Sequence, residues 1–461
     1  MTRTVFIGSG AGFADERPDA GIHVAKALAT CNGPRYIVYE NLGERTLALA
    51  QKERHRDPNA GYTPQLESFL RPTLRFCKEN NIRVVGNFGA ANPIGAGKRI
   101  MEMARELGVG GLKVAVVTGD DLLEYVAQDK IRSWPIVEGI PLPDTNIISA
   151  NVYIGAQPIQ RALATGADVV VLGRVTDSAL LLGPLMHEFG WKEDQWDLMA
   201  AGTLAGHLLE CSAQITGGYF ADPGYKDVPD LARIGFPIAE VSATGECVIT
   251  KPPGTGGRVS LRTVKEQMLY EIHDPSAYLV PDVTLDITGV ELEQIGEDRV
   301  RVSGARGKPR PPTLKVTVCT DGGWLGEGEI TYAGPNSLAR AQLAEQVLRE
   351  RMMIMEIDCP IRIDIVGTIS TFDSDAGTLR RLGTWAPDGD YRVRIAGKSF
   401  DKNTVESVTN ELIALYTSGP AGGGGVRRSL VSRVQTHSAL VDPDVVRTNT
   451  TILSTEKKEL S

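Results

Sequence analysis

Asn151–Trp191, NVYIGAQPIQRALATGADVVVLGRVTDSALLLGPLMHEFGW, is the stretch from which the rest of the chain is read. Ile159 to Ala167 has the pattern of a helix, and Ala167 to Leu172 that of a short apolar strand. The strand runs into Gly173-Arg174-Val175-Thr176-Asp177, and a second helix is expected from Ser178. A Val/Leu run with no polar alternation suits a strand buried on both faces of a parallel sheet. In open α/β sheets, ligands bind beyond the carboxyl ends of the strands. Arg174 and Asp177 sit at such an end and are the first candidate site residues. The same two residues also read as a structural ion pair capping the next helix.

Working outward, the same grammar of strand, polar loop and helix recurs. Thr4 to Ile7 is β-branched and apolar, Gly8-Ser9-Gly10-Ala11-Gly12 follows, and a helix is expected near Pro18-Asp19. Gly8, Gly10 and Gly12 are candidate cofactor-binding positions, since a glycine loop before a helix can cradle phosphate on its amides. Glu40, after Tyr36-Ile37-Val38-Tyr39, fits the acidic position of a dinucleotide motif only loosely. The strand at Arg83 to Gly86 ends in Asn87-Phe88-Gly89-Ala90-Ala91-Asn92-Pro93. Asn87 and Asn92 suit a carboxylate or carbonyl, and equally suit Asx-turns.

Leu112 to Val117 ends in Thr118-Gly119-Asp120-Asp121. Such paired acids can hold Mg²⁺, supply a general base or acid, or cap the next helix. If these strands are parallel, Asp15, Asn87, Asn92, Asp120, Asp121, Arg174 and Asp177 converge on one sheet edge. On the helical segment Asp197 to Thr216, His207, Glu210 and Gln214 share a face. His207 with Glu210 reads as an acid/base pair, with an ordinary polar helix face as the plainer alternative. Gly206 and Thr216-Gly217-Gly218-Tyr219 would permit close backbone approach. His187 is a second candidate base. No HxxxH zinc helix occurs.

From about Phe236 the texture changes to hairpin-like segments, so a boundary is expected between Gly224 and Gly235. The expected architecture is an α/β N-terminal domain with a mainly parallel sheet, residues 1–230, followed by an α+β C-terminal domain, residues 231–461. The ligand site is expected between them. Lys251-Pro252-Pro253-Gly254-Thr255-Gly256-Gly257-Arg258 lacks the Walker order but combines Lys251, Arg258 and the amides of Gly254, Gly256 and Gly257. It reads as an anion loop. The run Ser418 to Arg428, with Gly423, Gly424 and Arg427, reads as a second anion nest, a lid or a linker. The residues from Ser454 onward are expected to fray.

The totals narrow the function classes. The chain has 461 residues, a net charge of -8, 42% hydrophobic and 23% charged residues. Those are globular proportions, and with no basic stripe a nucleic-acid partner is not expected. No apolar run is long enough to span a membrane, and Met1-Thr2-Arg3 leads straight into a strand. Six scattered cysteines form no CxxC pair. A cytoplasmic protein with reduced thiols is expected.

Several stretches together carry a family resemblance. They are Gly8 to Asp15, Gly61-Tyr62, Asn87-Phe88-Gly89 with Asn92-Pro93, Gly119-Asp120-Asp121, Asn151 to Trp191 and Gly206 to Cys211. Thr216 to Phe220, Lys251 to Gly257, Glu266-Gln267 with Tyr270-Glu271-Ile272, Pro281-Asp282-Val283 and Gly419 to Arg427 complete the set. In this order the chain resembles the acyclic terpene utilisation AtuA-like family. The resemblance implies a catabolic context, the degradation of citronellol- and geraniol-type acids through CoA thioesters, and leaves the reaction and its catalytic residues open. It also admits a small separate partner subunit.

The reading expected from residues and resemblance together is a lyase, a hydratase/dehydratase of a branched carboxylic acid or its CoA thioester. His207 with Glu210 would be the base, and Asp177 or Asp120 the acid. Asn87, Asn92 and Arg174 would hold substrate oxygens, and the two glycine loops would hold phosphate or carboxylate. No cofactor is clearly implied. Mg²⁺ at Asp120 and Asp121 is the one metal the pattern admits, and CoA enters only as part of a substrate. The alternative is a non-catalytic acyl-CoA-binding or scaffold subunit. A homo-oligomer is expected in either case.

Overall fold

The apolar run at the centre of the quoted stretch forms the middle of a parallel sheet. A computed structural model of the protein describes residues 3–454; of the end expected to fray, residues 455–461 lie outside the described residues. Its first six strands are β1 (Thr4–Ala11), β2 (Arg35–Tyr39), β3 (Ile82–Gly86), β4 (Lys113–Thr118), β5 (Ile147–Val152) and β6 (Val169–Val171). β1, β2, β3, β6 and β4 lie side by side in that order, all parallel. Val169, Val170 and Val171 are buried, and Val85 and Ala115 flank Val170 in register. Helices cover both faces. Helices Ala20–Ala29 and Pro93–Glu106 pack in one core with Val24, Leu28, Ile100 and Val171. Helices Gln157–Ala164, Ala179–Phe189 and Trp196–Glu210 pack in the other with Ile159, Leu182, Leu208 and Val170.

Beyond the parallel strands the chain departs from the expected division. β7 (Ile238–Ser242) and β8 (Cys247–Thr250) form the expected antiparallel hairpin, but β7 then pairs antiparallel with β1. β9 (Tyr278–Leu279), β10 (Thr284–Asp286) and β13 (Arg306–Lys308) make a small separate sheet. β11 (Glu291–Gly296) and β12 (Arg299–Ser303) continue the large sheet from β8. The physical reason is burial. Ala239, Val241, Ile249, Val300 and Val302 enter the same core as β1, so the hairpin texture marks a change of strand direction within one sheet. No break between compact units falls at 224–235. The two units are residues through Cys319 with those from Thr436 on, and residues 320–435.

In the first unit, β14 (Leu314–Gly334) begins against β5, with Tyr153 N donating to Lys315 O at 2.9 Å. The second unit carries β15 (Ile361–Val366), β16 (Gly389–Ser399), the later part of β14 and the start of β17 (Gly424–Val441). Helices Ser337–Ile354 and Lys402–Ser418 bury Leu348 and Leu412 against Ile330, Val393 and Ile395. β18 (Asn449–Ser454) closes the large sheet antiparallel to β4. The N-terminal region is thus a large mixed sheet with parallel strands and helices, and the C-terminal region has antiparallel sheets with helices. No helix among the described residues is long and apolar enough to cross a membrane.

Candidate active site

Residues at the carboxyl ends of β1, β2 and β6 line a cavity of about 1260 Å³ within the first unit. Its acidic wall comprises Asp15, Glu16, Glu40, Glu44, Asp177, Glu210 and Glu271, outnumbering Arg45, Arg174 and Lys315. Apolar side chains also line it. Phe13, Val137, Tyr219 and Leu279 are largely solvent-exposed and give the cavity a hydrocarbon rim.

Arg174 organises this end of the sheet. It is 1% exposed, and its backbone N–H donates to Asp120 Oδ2 at 2.8 Å. Its guanidinium donates to the carbonyls of Val175 and Leu42 and to Asp177 Oδ1, and lies 4.4 Å from the centroid of the Tyr153 ring. With its donors engaged, Arg174 holds the loops after β2 and β6 together and has no free fork for a substrate carboxylate. Asp177 opens to the cavity. Burial raises its carboxyl above the usual range, and the Arg174 charge opposes that.

The two asparagines separate in role. Asn87 is fully buried; its Oδ1 accepts from Asn41 N at 2.7 Å, and its Nδ2 donates to Glu40 Oε1 at 2.9 Å. It therefore positions Glu40 and does not line the cavity. Asn92 caps helix Pro93–Glu106 through Gly95 N and donates to Pro58 O and Ala60 O. It is the turn residue of the two readings. Asn92→Ala should cost about 1–2 kcal/mol of stability, read by urea unfolding. Ligand-induced stabilisation should be unchanged, because the side chain does not face the cavity.

Asp120 and Asp121 are engaged by protein donors. Asp120 Oδ2 accepts from Arg174 N and from Asn151 Nδ2 at 2.9 Å, and the carboxyl packs against Gly173. Burial pushes Asp120 up to about 7. Asp121 caps the turn at Leu122–Glu124 and accepts from Gln51 Nε2 at 2.7 Å; burial raises it too. Neither lines the cavity. Three of the four carboxylate oxygens already accept from protein N–H groups, which makes the pair a poor cradle for Mg²⁺. No cluster of metal-ligating side chains occurs among the described residues.

His207 and Glu210 do meet, Nδ1 to Oε1 at 3.0 Å. The cavity side of the pair is Glu210, while His207 is fully buried behind it, its ring 5.6 Å from that of Tyr278 and its Nε2 without a partner among the described residues. Burial raises Glu210, with the charge of His207 opposing. For His207, burial acts to lower the imidazole, and the Glu210 carboxylate outweighs it, so the pair as a unit holds its protons to higher pH. Two glycines make this position reachable. A Cβ on Gly12 would stand 2.2 Å from Glu210 O, and one on Gly206 would stand 2.4 Å from Ser178 O. Without side chains there, the end of helix Trp196–Glu210 is pressed against the loop after β1. The other histidine, His187, accepts from Arg83 Nη1 at 3.1 Å and lies away from this cavity.

The remaining glycine motifs serve packing. Gly8 lies against Val24 and Leu28, and Gly10 against the Tyr39 ring, so helix Ala20–Ala29 can seat on β1. That helix begins at Ala20, so its N-terminus does not follow Gly12 directly, and Gly8 and Gly10 lie within β1 itself. The amides of Gly256, Gly257 and Arg258 donate to Arg233 O, Pro229 O and Thr216 O. Lys251 is paired to Asp298 at 3.1 Å. This loop, Gly254 included, lines a different pocket of about 610 Å³. In the second unit, Gly423 packs on Ile330 and Tyr332, Gly424 opens β17, and Arg427 is exposed on that strand. The expected nest is there the start of a strand.

Glu40, Glu44 and Glu271 line the cavity and were not among the expected catalytic residues. Glu40 was considered only for a nucleotide ribose. Its Oε1 accepts from Leu42 N at 2.7 Å as well as from Asn87. Burial, and then the Asp177 charge, push it up to about 8 against Arg174. Glu44 behaves oppositely. Burial acts to raise it, but the Tyr153 hydroxyl at 2.6 Å and Lys315 at 3.2 Å bring it down to about 2. Glu271, in the left-handed region at φ 61°, is the third. The usable signal for Glu40 and Glu44 was their position directly after a strand predicted to be parallel.

Asp282 lies beside this site on Gly155. Its Oδ1 accepts from Ala156 N at 2.8 Å, its Oδ2 is buried without a partner among the described residues, and burial pushes it up to about 6. A carboxyl raised in the folded state contributes stability that is fully present below its unfolded value near 4. That stability is lost as pH rises through the folded value near 6. Asp282→Asn should therefore remove a downward slope between about pH 4 and pH 6. By pH 7.5 it should be more stable than the parent by about 2–3 kcal/mol. Urea midpoints across that range decide the matter; an unchanged slope would show the carboxyl to be solvated.

Among curated proteins none matches the chain. Among solved structures, the chain is similar over 27% of its length to an amidase of the hydantoinase/carbamoylase family from Burkholderia phymatum. The identity is 13%, the TM-score is 0.16, and the match spans 30% of that chain. The profile of the acyclic terpene utilisation family protein AtuA matches residues 5–452, nearly the whole length, and the chain therefore belongs to that family.

Proposed function

We propose that this cavity performs general acid–base chemistry on a branched acyl group, as a hydratase/dehydratase. The carrying observation is a set of carboxyls, the half-buried Glu40 and Asp177 and the buried Glu210, lining one cavity whose rim is apolar. Burial raises all three carboxyls, which suits groups that exchange protons with a substrate near neutral pH. Glu210, backed by His207, takes the proton α to the carbonyl. The electron pair forms the new C=C bond as the β C–O bond breaks, and the oxygen leaves as water with a proton from a second carboxyl. The reaction moves only protons and water, so it requires no redox cofactor.

The wall also bears on the form of the substrate. Its acidic excess and the engaged Arg174 disfavour a free carboxylate, and support an acyl group masked as a thioester. The hydrocarbon rim suits the branched chain implied by the family name.

The test uses the pantetheine thioester of 3-hydroxy-3-methylbutanoate in D₂O, followed by proton NMR. Exchange of the α hydrogens and appearance of the 3-methylbut-2-enoyl product are expected. Turnover of the free acid alone would discard the thioester, and absence of both exchange and water loss would end the lyase reading.

A further inference from the structure

We infer that Glu40 is the proton donor of this site, that Asn87 is its positioning residue, and that Asp177 serves as the counter-charge of Arg174. The inference rests on the acid–base reading above and assigns its second carboxyl. Three observations carry it. Both donors to Glu40, Asn87 Nδ2 and Leu42 N, are neutral and converge on the same oxygen, Oε1. Such donors fix the carboxyl in one orientation and leave Oε2 as the oxygen that carries a proton. Asp177, by contrast, accepts from the Arg174 guanidinium, a partner that favours the ionised form. Of two carboxyls around one buried cation, the one held by neutral donors keeps the proton. Thirdly, Glu40 lines the cavity at the end of β2, while Asn87 stands behind it at the end of β3, fully buried and bound on its other side to Asn41 N.

The charged or titratable groups around Glu40 are Arg174 and Asp177 from the loop after β6, and Cys211 beyond helix Trp196–Glu210. From the end of β3 the neutral Asn87 faces it. In the reaction, the Oε2–H bond breaks as the proton passes to the departing oxygen. The β C–O bond breaks with its electrons on that oxygen, and water leaves. The electron pair released from the α C–H bond forms the C=C bond, and the α proton rests on Glu210. Solvent then returns Glu40 and Glu210 to their starting protonation states.

The test combines turnover with a direct reading of the carboxyl. Glu40→Gln keeps the shape and the Oε1 acceptor, so it should fold. Its kcat for water loss from the thioester probe should fall about 10²–10⁴-fold, with KM changed only a few-fold. Exchange of the α hydrogens should persist, because Glu210 remains. In the parent enzyme kcat should fall above about pH 8 as Glu40 ionises, and Asn87→Asp, which places a negative charge beside it, should move that limb upward. A purely structural Asn87 would leave the limb where it was.

Carboxyl ¹³C NMR, comparing parent and Glu40→Gln to assign the signal, should show Glu40 protonated at pH 7. Full turnover in Glu40→Gln, or a Glu40 signal already ionised at pH 6, overturns the proposal. If the parent neither exchanges nor dehydrates the probe, the lyase reading fails by itself. The ¹³C titration then still decides whether Glu40 holds the proton assigned to it.

Discussion

Arg174→Met is expected to destabilise the first unit by about 2–4 kcal/mol, chiefly the cost of leaving two carbonyls without their donor, with a smaller share from the half-exposed Asp177. The side chain is 1% exposed and binds the carbonyls of Leu42 and Val175 together with Asp177. Methionine fills much of the volume and supplies none of the donors, so two carbonyls and a carboxylate lose their partners. Arg174→Lys should recover only part of the loss, because an ammonium cannot span acceptors on two loops as a planar fork does.

The effect should depend on pH with a definite sign. Glu40 is raised in the folded state to about 8 even with Arg174 opposing. A raised carboxyl contributes stability below its unfolded value, near 4.5, and loses it as pH rises through the folded value. Without Arg174, Glu40 and Asp177 are raised further, so the deficit of the variant should widen from pH 5 to pH 8. Urea unfolding at those two values measures it. A deficit that narrowed toward pH 8 would mean that Arg174 does not compensate these carboxyls.

Glu210→Gln is the second large expected effect, this time on activity. Loss of a positioned general base lowers rates by about 10²–10⁴-fold. Both α-hydrogen exchange and water loss from the thioester probe should fall by that amount. The amide oxygen can still accept from His207 Nδ1, so folding should survive the change. His207→Gln should be milder, since His207 is fully buried behind Glu210 and acts through it. The opposite ranking, a severe loss at His207 with Glu210→Gln nearly unaffected, would restore the imidazole as the base.

The glycine-rich motifs illustrate a limit of reading loops from composition. Gly8, Gly10, Gly256 and Gly257 were read as amide cradles because glycine amides can bind phosphate. In the fold, Gly8 and Gly10 make room for a helix and a tyrosine ring, and the other two donate to carbonyls of their own unit. Glycine reports close approach, and the sequence does not say whether the approaching group is a ligand or the protein itself. The same ambiguity explains Asn92, which turned out to be a helix cap, while Asn87 holds a catalytic candidate.

The alternation of local patterns determined a good deal by itself. The unbroken apolar runs at Val84–Val85, Val114–Val117 and Val169–Val171 require strands buried on both faces. That requirement fixes a parallel sheet with helices on each side and puts the polar residues that follow at the carboxyl edge. It also put Arg174 and Asp177 at that edge, and both line the cavity. Tertiary structure alone decided three further matters. Whether a hairpin starts a new domain depends on which core receives its buried face, and β7 pairs with β1 across more than two hundred residues of chain, a choice no local pattern encodes. Which member of the His207–Glu210 pair meets the cavity depends on how the helix is pressed against the loop after β1. The proton affinity of Glu40 depends on burial and on charges from the loop after β6, brought together by the sheet order. Secondary structure follows from short-range periodicity, whereas burial and electrostatics are sums over neighbours distant in sequence.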